Sequence, residues 1–185
     1  MHESRAASRY AKSLIDFAKE KNILDEVNND MLLVLQIGKE NNEFIRVMNN
    51  PIVPNDKKQT ILTSLFKGRV NPITLKMFEL LAIKNRESQL YDIAIAFTEQ
   101  YKQLKGIITA EVITTFPLSE DLRNQFIQIV AGQNNAPVHL IEKVDQNLLG
   151  GYVLKVGDRQ IDQSIRNKIQ RLKTQFQDNS FISKY

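Results

Sequence analysis

The hydrophobic period of this chain changes at Lys105-Gly106, and that change limits what the chain can fold into more than any other feature. Before it, apolar residues recur every three to four positions, as one face of an α-helix requires. After it, residues 107–116 read IITAEVITTF, a β-branched and aromatic run that suits a pleated strand and that Pro117 closes. The two periods imply two domains, 1–105 and 106–185. The expected class is α plus α/β, an N-terminal six-helix bundle followed by a small β-α-β-β-α domain.

In the first helix Ala7, Tyr10, Ala11, Leu14, Phe17 and Ala18 recur at helical spacing, and Ala6 and Ile15 widen the apolar arc. A second helix at about 24–40 sets Val27, Met31, Val34 and Leu35 on one face, and a short third covers 43–48 before Pro51 and Pro54 end the run. Asn55 reads as the N-cap of a fourth helix holding Ile61, Leu62, Leu65 and Phe66, with Asp56 near its positive end and Gly68 at its stop. Asn71-Pro72, a cap followed by proline at the first helical position, opens the fifth. Its residues Ile73, Leu75, Met77, Phe78, Leu80, Leu81, Ala82 and Ile83 leave almost no polar face, so it is expected to be covered on nearly every side. The sixth carries Leu90, Ile93, Ala94, Phe97, Tyr101 and Leu104 in one narrow stripe and is expected to pack on one side only.

In the second domain Ser119 is the expected cap of a helix with Glu120 and Asp121 in its first turn and Leu122, Phe126, Ile129 and Val130 facing inward. Gly132 and Asn134-Asn135 mark its end. A second strand follows at 137–145, and a third at 152–156 turns through Gly157-Asp158 into 159–161 as a hairpin. The last helix begins near Asp162 or Ser164 and is expected to bury Ile165, Ile169, Leu172 and Phe176.

Composition excludes several functions. With no cysteine, the chain has no disulfide, thiolate zinc site or cysteine nucleophile. No apolar run is long enough to span a bilayer, so direct membrane insertion is not expected. The first residues lack the pattern of a secretory signal or transit peptide, which favours a bacterial, cytoplasmic chain. Net charge is modest at +4, but 159–173 holds Arg159, Arg166, Lys168, Arg171 and Lys173 against Asp162 alone. That stretch suits an acidic partner.

Two segments carry a family resemblance. ASRYAKSLIDFA at 7–18, with Arg9-Tyr10-Ala11 at its centre, looks like the opening helix of the F-type ATP synthase delta subunit family. VDQNLLGGYVLKVGDRQIDQSIRNKIQRL at 144–172 is similar to that family's C-terminal pattern, matched here by Asp145, Gly150, Gly151, Gly157, Asp158, Asp162, Ser164, Ile165, Arg166 and Leu172. The mitochondrial relative is the oligomycin-sensitivity-conferring protein. The resemblance implies a non-catalytic stator connector, a monomer within a hetero-oligomeric complex on the cytoplasmic face of the bacterial inner membrane. It implies that the N-terminal domain binds alpha-subunit N-termini along its first and fifth helices, which points to Tyr10, Ala11, Leu14, Ile15, Phe78 and Ala82. It implies that the C-terminal domain holds the b subunits of the peripheral stalk, with Arg166 and Arg171 as charge partners.

Other functions read weakly from these residues. Gly150-Gly151 and Gly157 fit neither a P-loop nor a dinucleotide fingerprint, and their structural role is to permit a tight approach to the strand and a positive-φ turn. Asp145, Asp158 and Asp162 lack calcium-loop spacing and sit at expected element ends, where Asp commonly caps, and Ser164 joins them as a cap. A metal site or catalytic base built on His2 or His139 would need further residues that the sequence does not supply nearby. No catalytic residue, metal or cofactor is therefore expected. An alternative from another class is RNA binding of the antitermination-factor type through Arg5, Arg9 and Lys12, against which stand a nearly neutral N-terminal half and the lack of an aromatic stacking platform. Nucleic acid is not the expected partner.

Overall fold

The computed structural model describes residues 5–132 and 136–178, and the chain divides into two compact units, Met1–Leu104 and Lys105–Tyr185. Together they form a mixed fold of α-helices and one small four-stranded sheet. His2 and Asn134-Asn135 lie outside the described residues.

The regular elements of the first unit are helical: α1 (Arg5–Glu20), α2 (Leu24–Glu40), α3 (Asn42–Asn49), α4 (Asn55–Phe66), α5 (Pro72–Ile83) and α6 (Leu90–Leu104). Ala7, Ala11, Leu14, Ile15 and Ala18 of α1 and Val27, Met31 and Val34 of α2 are buried in one core with α6 residues Leu90, Ile93, Ala94, Ala96 and Phe97. Phe44, Phe66 and Phe78 continue that core as an edge-to-face series with centroids 6.2 and 5.1 Å apart. Gly38 lets α2 approach α6, because a Cβ there would lie 2.5 Å from the Tyr91 ring.

One expectation reverses in this unit and another is modified. The buried face of α6 is broader than a narrow stripe: the helix packs against α1 and α2, and the small Ala96 and Thr98 join Leu90, Ile93, Ala94 and Phe97, while Asp92, Glu99 and Gln103 stay exposed. Two of its polar groups reach other helices, since Gln100 Nε2 donates to Ser8 O at 3.1 Å and the Tyr101 hydroxyl to Asp25 Oδ1 at 2.8 Å. The fifth helix is not covered on nearly every side, because Leu80 and Ile83 are 48% and 68% exposed. Asn71 caps α5 as its sequence implies, accepting from the Ile73 N–H at 3.0 Å. Asn55 does not cap α4. Pro54 holds that position, Asn55 is the first helical residue, and its side-chain amide donates to Asn85 Oδ1.

Buried polar groups tie these helices together. Asp30 of α2 accepts from the Thr74 hydroxyl at 2.6 Å and the Asn71 N–H at 2.9 Å, and so satisfies donors at the start of α5. Lys58 of α4 donates to Glu87 Oε1 at 2.6 Å and Met48 O at 3.0 Å, joining three segments.

In the second unit β1 (Ile108–Thr114), α7 (Glu120–Ala131), β2 (Val138–Val144), β3 (Tyr152–Val156), β4 (Arg159–Asp162) and α8 (Ile165–Asp178) follow in order. The strand order is β2-β1-β3-β4. The crossover through α7 makes β1 and β2 parallel, whereas β1–β3 and β3–β4 are antiparallel. Ala110, Val112 and Leu154 are buried with Phe126 of α7, whose ring meets Tyr152 edge-on at 4.9 Å. Ser119 caps α7 from outside, accepting from the Leu122 N–H at 3.4 Å. Ile129, expected to face inward, is 59% exposed.

The largest departure from expectation is α8. Its apolar residues are not buried: Ile165, Ile169, Leu172 and Phe176 are 45%, 49%, 51% and 78% exposed. The helix is tied to the unit at its first turn, where Ile165 N–H donates to Gly150 O at 3.0 Å and Asn167 Nδ2 to Asp162 O at 2.9 Å. The core of this unit is completed by α7 on the sheet, and the stripe on α8 is left at the surface.

Candidate functional site

Two surfaces combine exposed apolar side chains with nearby cations, one on each unit. On the first unit, Tyr10 and Phe17 lie seven residues apart on α1 and so share a face. Phe17 is 43% exposed and Tyr10 half-buried. On α5, Leu80 and Ile83 are also exposed, and Arg86 lies just beyond that helix. Arg86 links it to α1, because its guanidinium carbon lies 5.8 Å from the centre of the Tyr10 ring and its Nη1 donates to the Tyr10 hydroxyl at 3.4 Å.

Of the residues singled out in the sequence on this surface, Tyr10 is at the surface. Ala11, Leu14, Ile15, Phe78 and Ala82 are buried in the unit's own core. Their helical spacing is what places them there, since the regular stripe of α1 is the one that α2 and α6 cover. The sequence reading passed over Phe17 and Arg86, and grouped Leu80 and Ile83 with the core. Phe17 belonged to the helical repeat and Leu80 and Ile83 to an all-apolar helix, so nothing local marked them as surface.

On the second unit the stripe Ile165, Ile169, Leu172 and Phe176 runs along α8, with Arg166, Lys168, Arg171 and Lys173 all exposed on the same helix. Leu149, 69% exposed and held at φ +60°, sits next to Gly150, whose Cβ position would be 2.6 Å from the Ile165 side chain. A leucine in the left-handed region at the surface is conformationally costly, and it extends the apolar patch beyond the start of α8.

Close turns and caps lie along β3, β4 and the start of α8. Gly151 has φ +82°, and a Cβ there would fall 2.3 Å from Gln163 O, so the backbone approach requires glycine. Gly157-Asp158 forms the β3–β4 turn, with Gly157 at φ +56° and Val156 paired to Arg159. Ser164 Oγ accepts from the Asn167 N–H at 3.2 Å, and Asp162 Oδ1 accepts from the Ser164 N–H at 2.8 Å. Hydrogen bonds from the Ser164 side chain and backbone, with a smaller contribution from the Arg171 charge, hold the Asp162 carboxyl below the usual carboxylate range. Asp145 likewise turns its own backbone, accepting from the Asn147 N–H at 2.9 Å. Among the described residues no three His, Cys, Asp or Glu side chains are grouped to hold a metal, and no helix is long and apolar enough to cross a membrane.

Apolar helix faces bordered by cations, one on each of two compact units, are the kind of surface that protein–protein contact uses, and no metal cluster accompanies them among the described residues. The family model for the ATP synthase delta (OSCP) subunit matches residues 6–176, and the chain belongs to that family. It is 46% identical to the ATP synthase subunit delta of Cytophaga hutchinsonii, over 95% of this chain and 96% of the relative. It is 39% identical to that of Amoebophilus asiaticus, over 93% and 94%. Its fold is similar to a chain in the cryo-EM structure of the Toxoplasma gondii mitochondrial ATP synthase hexamer, with a TM-score of 0.72, 25% identity and coverage of 94% of this chain and 98% of that one. Members of the family are structural subunits of the peripheral stalk, not catalytic ones, and the comparisons lend no support to RNA binding.

Proposed function

We propose that this chain is the non-catalytic stator connector of an F-type ATP synthase, joining alpha subunits of the catalytic head to the b subunits of the peripheral stalk. The observation that supports the reading is that the family match runs through both units, from residue 6 to residue 176. The first unit, as a six-helix bundle, grips alpha-subunit N-termini through the surface shared by α1 and α5. There Tyr10, Phe17, Leu80 and Ile83 supply contact area, and Ala11, Leu14, Ile15, Phe78 and Ala82 fix the two helices from within. The second unit holds the stalk through α8, with Arg166 and Arg171 meeting acidic residues of b. The protein sits at the cytoplasmic face of the bacterial membrane through the complex alone.

The test is coupling. Membranes from cells lacking this chain should keep ATP hydrolysis by the head but lose ATP-driven ion pumping, and the purified full chain should restore it. Pumping that persists at full rate without the chain would rule the connector role out.

A further inference from the structure

The mouth of the α1–α5 surface carries a feature that apolar docking alone does not account for. An open cleft of about 260 Å³ is lined by Ala6, Arg9, Tyr10, Ser13 and Arg86. Two of the five are guanidinium side chains, two carry hydroxyls, and none is acidic. Among the described residues neither Arg9 nor Arg86 forms a salt bridge, although three other charge pairs do: Lys58–Glu87, Arg123–Glu142 and Lys143–Glu111.

Arg86 is positioned rather than loose. Its backbone N–H donates to Leu81 O at 2.8 Å, which anchors the residue on the last turn of α5. Its guanidinium faces the Tyr10 ring and spends one N–H on the Tyr10 hydroxyl, leaving further donors of the planar fork directed elsewhere. Arg9 stands one residue before Tyr10, and Ser13 one turn after Arg9, where its hydroxyl donates to Arg9 O at 3.0 Å and keeps its lone pairs. Two cations and a phenol around an acid-free cleft form a receptor for a planar anion.

We infer that this cleft recognises a carboxylate side chain of the helix that docks between α1 and α5, with Arg86 and Arg9 as specificity-determining residues and the Tyr10 ring holding Arg86 in place. The inference rests on the head-docking reading above and adds the chemistry of the partner. The docking helix carries an Asp or Glu one or two turns from an apolar i, i+3 or i+4, i+7 series. The apolar series lies on Phe17, Leu80 and Ile83 while the carboxylate enters the cleft.

The experiment is calorimetric titration of the full chain with a synthetic peptide of the alpha-subunit N-terminus from the same synthase, and with the same peptide in which every Asp and Glu is replaced by Asn or Gln. Arg86→Gln and Arg9→Gln are compared with Lys67→Gln, a charge-matched control on exposed surface at the end of α4. Circular dichroism confirms that each variant is folded. The expected result is a loss of tenfold or more for Arg86→Gln with the native peptide, less than twofold with the neutral peptide, and no change for Lys67→Gln. Equal losses with the two peptides, or no loss with the native one, overturn carboxylate recognition while leaving docking intact. A native peptide that does not bind the unaltered chain overturns the docking reading itself, and this inference with it.

Discussion

Lys58 Nζ lies 2.6 Å from Glu87 Oε1 across 29 residues of sequence, with both side chains almost wholly withdrawn from solvent. The same ammonium donates to Met48 O, so one cation joins α3, α4 and the 3-10 turn Glu87–Gln89. Removing one member of such a pair leaves a buried charge without compensation, which costs more than the pair contributes. Lys58→Met is therefore expected to destabilise the helical unit by about 3–5 kcal/mol. Lys58→Met combined with Glu87→Leu is expected to recover much of that loss. Urea unfolding followed at 222 nm measures both, and a double variant no better than the single one would count against the pair as the cause.

Asp30 ties stability to pH. Burial raises its carboxyl above the ordinary value of 3.8, and the hydrogen bonds from Thr74 and Asn71 offset this only in part. The folded state thus holds this proton more tightly than the unfolded one. The group's contribution to stability is fully present below its unfolded pKa and is lost as pH rises through its folded pKa. The difference in unfolding free energy between the native chain and Asp30→Asn should therefore shift in favour of the native chain as pH falls from 7 to 4. A difference independent of pH would refute the assignment.

Gly151 cannot accept a side chain. Positive φ alone costs about 1–3 kcal/mol for a residue with a Cβ, and overlap with Gln163 O adds to it. Gly151→Ala should loosen the β3–β4 hairpin and the start of α8, seen as faster hydrogen exchange at the Gln163 and Ile165 amides, which donate to Tyr152 O and Gly150 O. Unchanged exchange at both would contradict the close approach.

The exposed stripe on α8 predicts a separation of stability from binding. Ile169→Asp should change the unfolding free energy by no more than about 0.5 kcal/mol, because Ile169 is already 49% exposed. It should weaken capture of the stalk b subunits by the full chain at least tenfold. Ile15→Asp, at a position only 3% exposed, should instead unfold or strongly destabilise the first unit, and so cannot serve as a clean probe of docking.

What the sequence disclosed and what it concealed follow from the range of the interactions involved. Asn71-Pro72, Ser119 and Gly157-Asp158 act on backbone within three residues of themselves, so their roles were legible. The periodicity of α8 was legible too, but a stripe of isoleucine, leucine and phenylalanine looks the same whether it faces the chain's own core or another chain. Polar residues misled in the opposite direction. Gln100 fell on the expected polar face of α6, yet it is bonded to Ser8, 92 positions away. Asp30–Thr74 and Lys58–Glu87 are hidden for the same reason, being contacts between distant segments that no local pattern announces.

The strand order has a mechanical consequence. The chain reaches the sheet at Ile108 and leaves it for α8 after Asp162. Through the register Ala110 with Val156 and Val156 with Arg159, the start of β1 lies beside the start of β4, so the points of arrival and departure are at opposite ends of the sheet. Tension along the backbone then pulls β1 and β4 lengthwise in opposing directions. It acts across the hydrogen bonds of β1–β3 and β3–β4, which run perpendicular to the strands. The bonds bear the load together, in shear, and none can be peeled open one at a time from an end. A small sheet with this threading is suited to transmitting sustained force without elongating.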